Sequence, residues 1–170
     1  GTASGLPDAA EAAFTVAGVA ANIQRRLELL RAAEGDEAAY AGLGRFLSRD
    51  FEPALERWSQ QARALLGAAA WDEPIAAASR TLSPSDFGFH NALIRPDGGV
   101  VFVDFEYFGW DDPAKMISDF TWHPRSTMAP ELKHRFVGRM RTAFAGMAGL
   151  DARLEAVFPL FGLKWCMILL

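Results

Sequence analysis

One cysteine, Cys166, in 170 residues leaves no partner for an internal disulfide, so the fold rests on packing and suits a reducing compartment. Lysine is nearly as scarce: Lys115, Lys133 and Lys164 are the only three, all in the last third of the sequence. Long apolar runs are missing too. The most apolar stretch, 156–170, holds Pro159 and Lys164, is shorter than a spanning helix and reads as a core helix. No basic segment followed by an apolar one opens the sequence, which makes the cytoplasm the expected setting and a membrane partner unexpected. There is no basic surplus. A net charge of −4 argues against a nucleic-acid-binding face. His123 and His134 have no zinc spacing, and Gly42-Leu43-Gly44 lacks the third glycine of a phosphate loop.

What is present is ordinary globular material, 51% apolar and 22% charged, in a length that buries a sizeable core as one domain. Asp8 followed by Glu11 is a capping-box pattern that predicts the start of a first helix. Val16, Val19, Ile23, Leu27 and Leu30 give it an apolar stripe. Asp36 is placed to cap a short second helix through Leu47, and Asp50 to open a third that ends near Leu66. Trp71-Asp72-Glu73-Pro74 predicts a short helix reaching about Arg80. Later helices are expected after Asp112-Pro113, after Pro130-Glu131, and from a cap at Asp151. The fold class is therefore mainly α with one small β-hairpin. Residues 1–80 form a helical part, 81–125 the loops of interest, and 126–170 the last helices.

The chemistry concentrates between residues 83 and 106. Ala92–Ile94 and Val100–Val103 are short apolar runs joined by Pro96-Asp97-Gly98-Gly99, a strong hairpin signal. That hairpin brings Asn91, entering its first strand, close to Asp104, leaving its second. Two oxygen donors at the base of one rigid hairpin suit a hard cation such as Mg²⁺. Asp104, closing an all-apolar strand, reads as a carboxylate whose burial a cation or donors must offset. Asp86, five residues before Asn91, is placed to accept a proton from a substrate hydroxyl. One base plus an Asn and an Asp on metal is the set that phosphoryl transfer uses. The plain alternatives are a turn residue for Asp86 and an Asx turn for Asn91. Asp112 reads as a helix N-cap, and His90 as a loop-packing histidine. Trp110, Trp122 and Tyr107, with acids at 106, 111 and 119, read chiefly as core aromatics, and secondarily as an acidic aromatic surface for a cationic substrate.

Asp86-x4-Asn91, then Val103-Asp104-Phe105-Glu106, then Gly109-Trp110-Asp111-Asp112-Pro113-Ala114 resemble the catalytic and metal loops of the aminoglycoside phosphotransferase and choline kinase group. These are small-molecule kinases with a protein-kinase-like fold. The resemblance covers about residues 81–120. It implies the C-terminal lobe of such a fold, ATP and Mg²⁺ as cofactors, and a small-molecule hydroxyl as phosphate acceptor. Asp86 is then the catalytic base, with Asn91 and Asp104 holding metal and nucleotide. Glu106 falls to the metal's surroundings or the substrate. The nucleotide-clamping lobe, with its glycine loop and lysine, is expected outside these residues, so the 170 residues alone are expected to be inactive. Three departures stand out: Pro84 replaces the family's His, Ser85 its Gly or Asn, and Lys115-Met116 stands where an acid is usual. With Pro84 there, loop bracing must come from elsewhere, beginning with the proline's locked φ. The same departure supports a rival expectation, a catalytically silent kinase-like domain that binds a ligand or partner.

Overall fold

Helix α1, Val16–Arg31, buries Val16, Val19, Ile23 and Leu27, four residues of the expected stripe, on one side. The computed structural model describes residues 5–33 and 37–170, the side chains of 37–39 excepted. The helix does not start at Asp8. Thr15 is its N-cap, the hydroxyl accepting the Gly18 N–H at 2.8 Å. The chain before it is committed to strand-like bonds: Ala9 donates to the Trp110 carbonyl and Trp110 to the Pro7 carbonyl, each at 2.9 Å. Backbone groups used that way cannot begin a helix. Glu11 sits at φ 54°, and its carboxylate reaches Arg26 at 2.6 Å.

Helix α2, Glu37–Phe46, follows, and its expected cap at Asp36 lies outside the described residues. Asp50 opens no separate helix. A π-helical turn, Leu47–Phe51, joins α2 to α3, Glu52–Leu66, without a break. Pro53 accounts for this, because it has no N–H to close a normal turn, and Glu52 N–H instead bonds Leu47 five residues back. The wider turn leaves Leu47 and Phe51 both buried.

No α-helix forms over 71–80. Two 3₁₀ turns, Ala69–Trp71 and Ala77–Ser79, bracket a segment whose Ile75 N–H donates to the Phe14 carbonyl at 2.9 Å. A run this short gains too few helical bonds to compete with that tertiary bond.

The remaining helices are α4, Pro113–Trp122, α5, Pro130–Ala143, and α6, Leu150–Leu169. Gly149, at φ 76°, is the N-cap of α6, so Asp151 is a first-turn residue paired with Arg141 at 2.7 Å rather than the cap. Helix α6 packs on α1, α3 and α4. There Leu154, Val157, Leu160 and Phe161 meet Ile23, Leu27, Phe51 and Ile117. Each such side chain contributes about 1.5–3 kcal/mol by leaving water.

Among the described residues, two antiparallel sheets of two strands complete the mainly α architecture. Strand β2, Ala92–Ile94, pairs with β3, Val100–Phe102, in the expected hairpin, with Ala92 opposite Phe102. Gly98, at φ 82°, makes its turn. Strand β3 ends two residues before Asp104, although Val103 N–H still bonds the Asn91 carbonyl at 2.9 Å. The second sheet was not anticipated. Strand β1, Thr81–Ser83, pairs with β4, Gly109–Asp111, and so fixes both ends of the segment that carries Asp86, Asn91 and Asp104. Gly109 is required there: a Cβ would fall 2.5 Å from the Ala9 nitrogen. Among the described residues no helix is long and apolar enough to cross a membrane.

Candidate active site

The loop leading to Asp86 is braced by its own backbone. Ser85 sits at φ 65°, and Asp86 N–H reaches back to the Pro84 carbonyl at 2.9 Å, a tight turn of a kind seldom seen. Such a conformation costs of order 1–3 kcal/mol and persists only where neighbours hold it. Here they do. The Ser83 hydroxyl accepts the Ser85 N–H at 3.0 Å, and the Ser85 hydroxyl donates to the Ala10 carbonyl at 2.8 Å. Pro84 and Ser85 are thus built into the loop's own brace.

Asp86 is half-buried, and its carboxylate is hydrogen-bonded by two side chains with a third close by. Asn91 donates its side-chain amide to the Asp86 carbonyl at 3.0 Å and to Oδ2 at 3.2 Å. His90 Nε2 lies 3.0 Å from Oδ1, and His123 Nε2 3.7 Å from the same oxygen. The two imidazoles stack, with centroids 4.2 Å apart and planes 13° from parallel. His90 packs as expected, and the group it packs against is the carboxylate itself. The three donor atoms lie within 4.8 Å of one another, close enough to suggest a metal. The ring planes argue against one. Imidazole lone pairs lie in the ring plane, and two stacked, near-parallel rings cannot aim theirs at a common point.

Asn91 and Asp104 flank the open end of the hairpin, joined by the Val103–Asn91 bond. Asp104 is exposed, not buried, and sits at φ 65°, in the left-handed region where a non-glycine residue is uncommon. The burial penalty expected for it therefore does not arise. With the Asn91 amide N–H₂ turned to Asp86, its carbonyl oxygen and the Asp104 carboxylate have no hydrogen-bond donor among the described residues. Free carbonyl and carboxylate oxygens are the donors Mg²⁺ takes, so this pair fits the cation. Glu106 is exposed as well, and its carboxylate holds the adjacent Tyr107 phenol above its ordinary pKa.

A cleft of about 310 Å³ opens beside Asp86, walled by Ser85, Tyr107, Asp119, Lys164 and Trp165. Its floor is an ion network that the sequence reading missed. Lys115 Nζ lies 2.6 Å from Asp111 and 3.4 Å from Asp119, Lys164 lies 3.3 Å from both Asp119 oxygens, and Arg153 pairs with Asp112. Trp165 Nε1–H donates to Asp119 at 2.9 Å. All six charged groups are buried, three acids against three bases. Burial presses the Lys115 ammonium toward neutrality, but Asp119 and Asp111 outweigh it and hold it above the ordinary lysine value. The four-residue spacings Asp111–Lys115 and Lys115–Asp119 were visible signals of this network. Asp112 is the N-cap expected, accepting the Ala114 N–H at 2.8 Å. Asp111 and Asp119 face these bases, so no acidic aromatic surface forms from them. Trp122 is partly exposed but donates to the Phe158 carbonyl at 2.9 Å and packs on that ring. A roomier groove of about 760 Å³, lined by Trp122, Met128, Val137 and Phe158, holds none of the expected site residues.

Compared with known proteins, the chain matches no family model, no curated protein and no solved structure.

Proposed function

We propose that this chain carries the transfer site of an ATP- and Mg²⁺-dependent phosphotransferase that phosphorylates a hydroxyl of a small molecule. The reading treats the fold as the C-terminal lobe of a protein-kinase-like enzyme, working in the cytoplasm and independent of nucleic acid. The observation that carries it is Asp86: a half-exposed carboxylate on the wall of a cleft, tied by hydrogen bonds to Asn91, which stands beside Asp104 at the hairpin base.

Asp86 orients the acceptor hydroxyl in the cleft and takes its proton as the oxygen bonds to the γ-phosphorus. The bond from that phosphorus to the bridging oxygen breaks, and ADP leaves with the electron pair. Asn91 serves twice, its N–H₂ holding Asp86 and its carbonyl oxygen left, with the Asp104 carboxylate, to take the metal. Mg²⁺ held there would neutralise charge on the phosphates as the bond breaks. Tyr107, exposed on the cleft wall, and the adjacent exposed Glu106 are the proposed contacts to the acceptor.

The test is ATP consumption by the protein as its gene encodes it, across a panel of hydroxyl-bearing metabolites. Asp86→Asn should lower turnover at least about 10²-fold, the contribution of a general base, with nucleotide affinity kept. No turnover by the parent with any acceptor would leave the silent, ligand-binding domain as the better reading.

A further inference from the structure

We propose that His123 is a positioning residue that clamps His90, and through it the Asp86 carboxylate, so that helix α4 aims the base together with its own loop. The inference rests on reading Asp86 as the base. It starts from a chemical constraint: to bond a carboxylate oxygen at 3.0 Å, His90 must carry its proton on Nε2, so the contact fixes ring position and tautomer together. Nothing in the short 3₁₀ turn Phe89–Asn91 holds an imidazole that way by itself. His123 does. Its ring covers a face of His90, while the Nδ1–Cε1 edge of His90 lies against Gly88, where a Cβ would fall 2.6 Å from both atoms.

His123 is itself fixed from three sides. Its N–H closes the end of α4 on the Asp119 carbonyl at 2.8 Å, and its Nδ1 accepts the Arg125 N–H at 3.1 Å. The Trp165 ring of α6 meets it edge-on at 4.6 Å. Trp165 in turn is tied to Asp119 in the buried ion network. A continuous, rigid set of contacts therefore runs from that network to the reactive oxygen. A purely structural role explains this poorly, since a contact onto a carboxylate that keeps 39% of its side-chain surface in water adds little stability.

The experiment compares the parent with His123→Ala, His123→Phe and Gly88→Ala in the natural full-length protein, each checked for folding by circular dichroism. Turnover should fall about 10–10²-fold in the Ala variants, as for a base displaced by about 1 Å, with ATP affinity and acceptor KM held within about twofold. His123→Phe keeps the stacked face and should return turnover to within about threefold of the parent. Ring ¹⁵N spectra supply an arm independent of activity: His90 should be a single Nε2–H tautomer in the parent and a mixture in His123→Ala. Turnover within twofold of the parent in a folded His123→Ala variant overturns the proposal, as does failure of the Phe variant to restore it. If the parent itself shows no turnover, the kinase reading falls first and the spectra decide the clamp. An unchanged His90 tautomer in His123→Ala then overturns it, and a mixture supports it.

Discussion

Two acid-rich regions lie side by side in this protein and are treated in opposite ways. On the floor, Asp111, Asp112 and Asp119 are buried and matched by Lys115, Arg153 and Lys164. On the hairpin side, Asp104 and Glu106 are exposed and no basic side chain pairs with them among the described residues. Asp86 stands between, half-buried and touched by imidazoles rather than by a lysine or arginine. Acids inside a core must be compensated, because an unpaired buried charge costs several kcal/mol. Acids left uncompensated at the surface cost little, because water solvates them. Composition cannot separate the two sets; only the partners can.

The strongest way to break the contrast is to remove a floor cation. Lys115→Met should destabilise the protein by about 3–5 kcal/mol, because buried Asp111 loses its charged partner. Urea unfolding of this chain measures it. Asp104→Asn, the matching change at the hairpin, should alter the unfolding free energy from the same titration by less than about 0.5 kcal/mol, as an exposed site does.

Part of this was legible beforehand. The stripe of α1, the Asp-Gly turn of the hairpin and the Asp112 cap follow from local rules that need no knowledge of the rest of the chain. The β1–β4 pair does not. Each strand has three residues and its partner lies 28 positions away, Ser83 opposite Gly109 at its nearest 26, so no local pattern announces it. The start of α1 was misplaced for the same reason: Asp8 looks like a cap until Trp110 takes its neighbours' bonds. At the site, Asp86, Asn91 and Asp104 stood out by type and order, and the hairpin places the latter two at its open end. That Asp104 is exposed could not be seen, because a strand ending two residues early looks the same in sequence. The His90–His123 stack joins residues 33 positions apart, beyond the reach of spacing arguments.

A smaller effect sharpens the middle ground. Burial, and then His90 beside it, hold His123 below the ordinary histidine pKa, with Asp86 opposing. The other charged groups facing it are Arg125, which lowers it further, and Asp119, which raises it. A folded pKa below the unfolded one means this stability is present above about pH 6.5 and is lost as pH falls through the folded value. Thermal melts at pH 7.5 and 5.5 should show the parent losing slightly more stability on acidification than His123→Phe. Equal losses would mean that His123 titrates like an exposed histidine.

The most direct test of the division between hairpin and floor is calorimetric titration of Mg·ATP into the full-length parent, Asp104→Asn and Glu106→Gln. Loss of a metal ligand should weaken binding by at least about tenfold, the lower end of what even outer partners of a metal contribute. The account predicts that loss for Asp104→Asn with an unchanged melting temperature, and near-parent affinity for Glu106→Gln. Asp104→Asn binding Mg·ATP as tightly as the parent would contradict it.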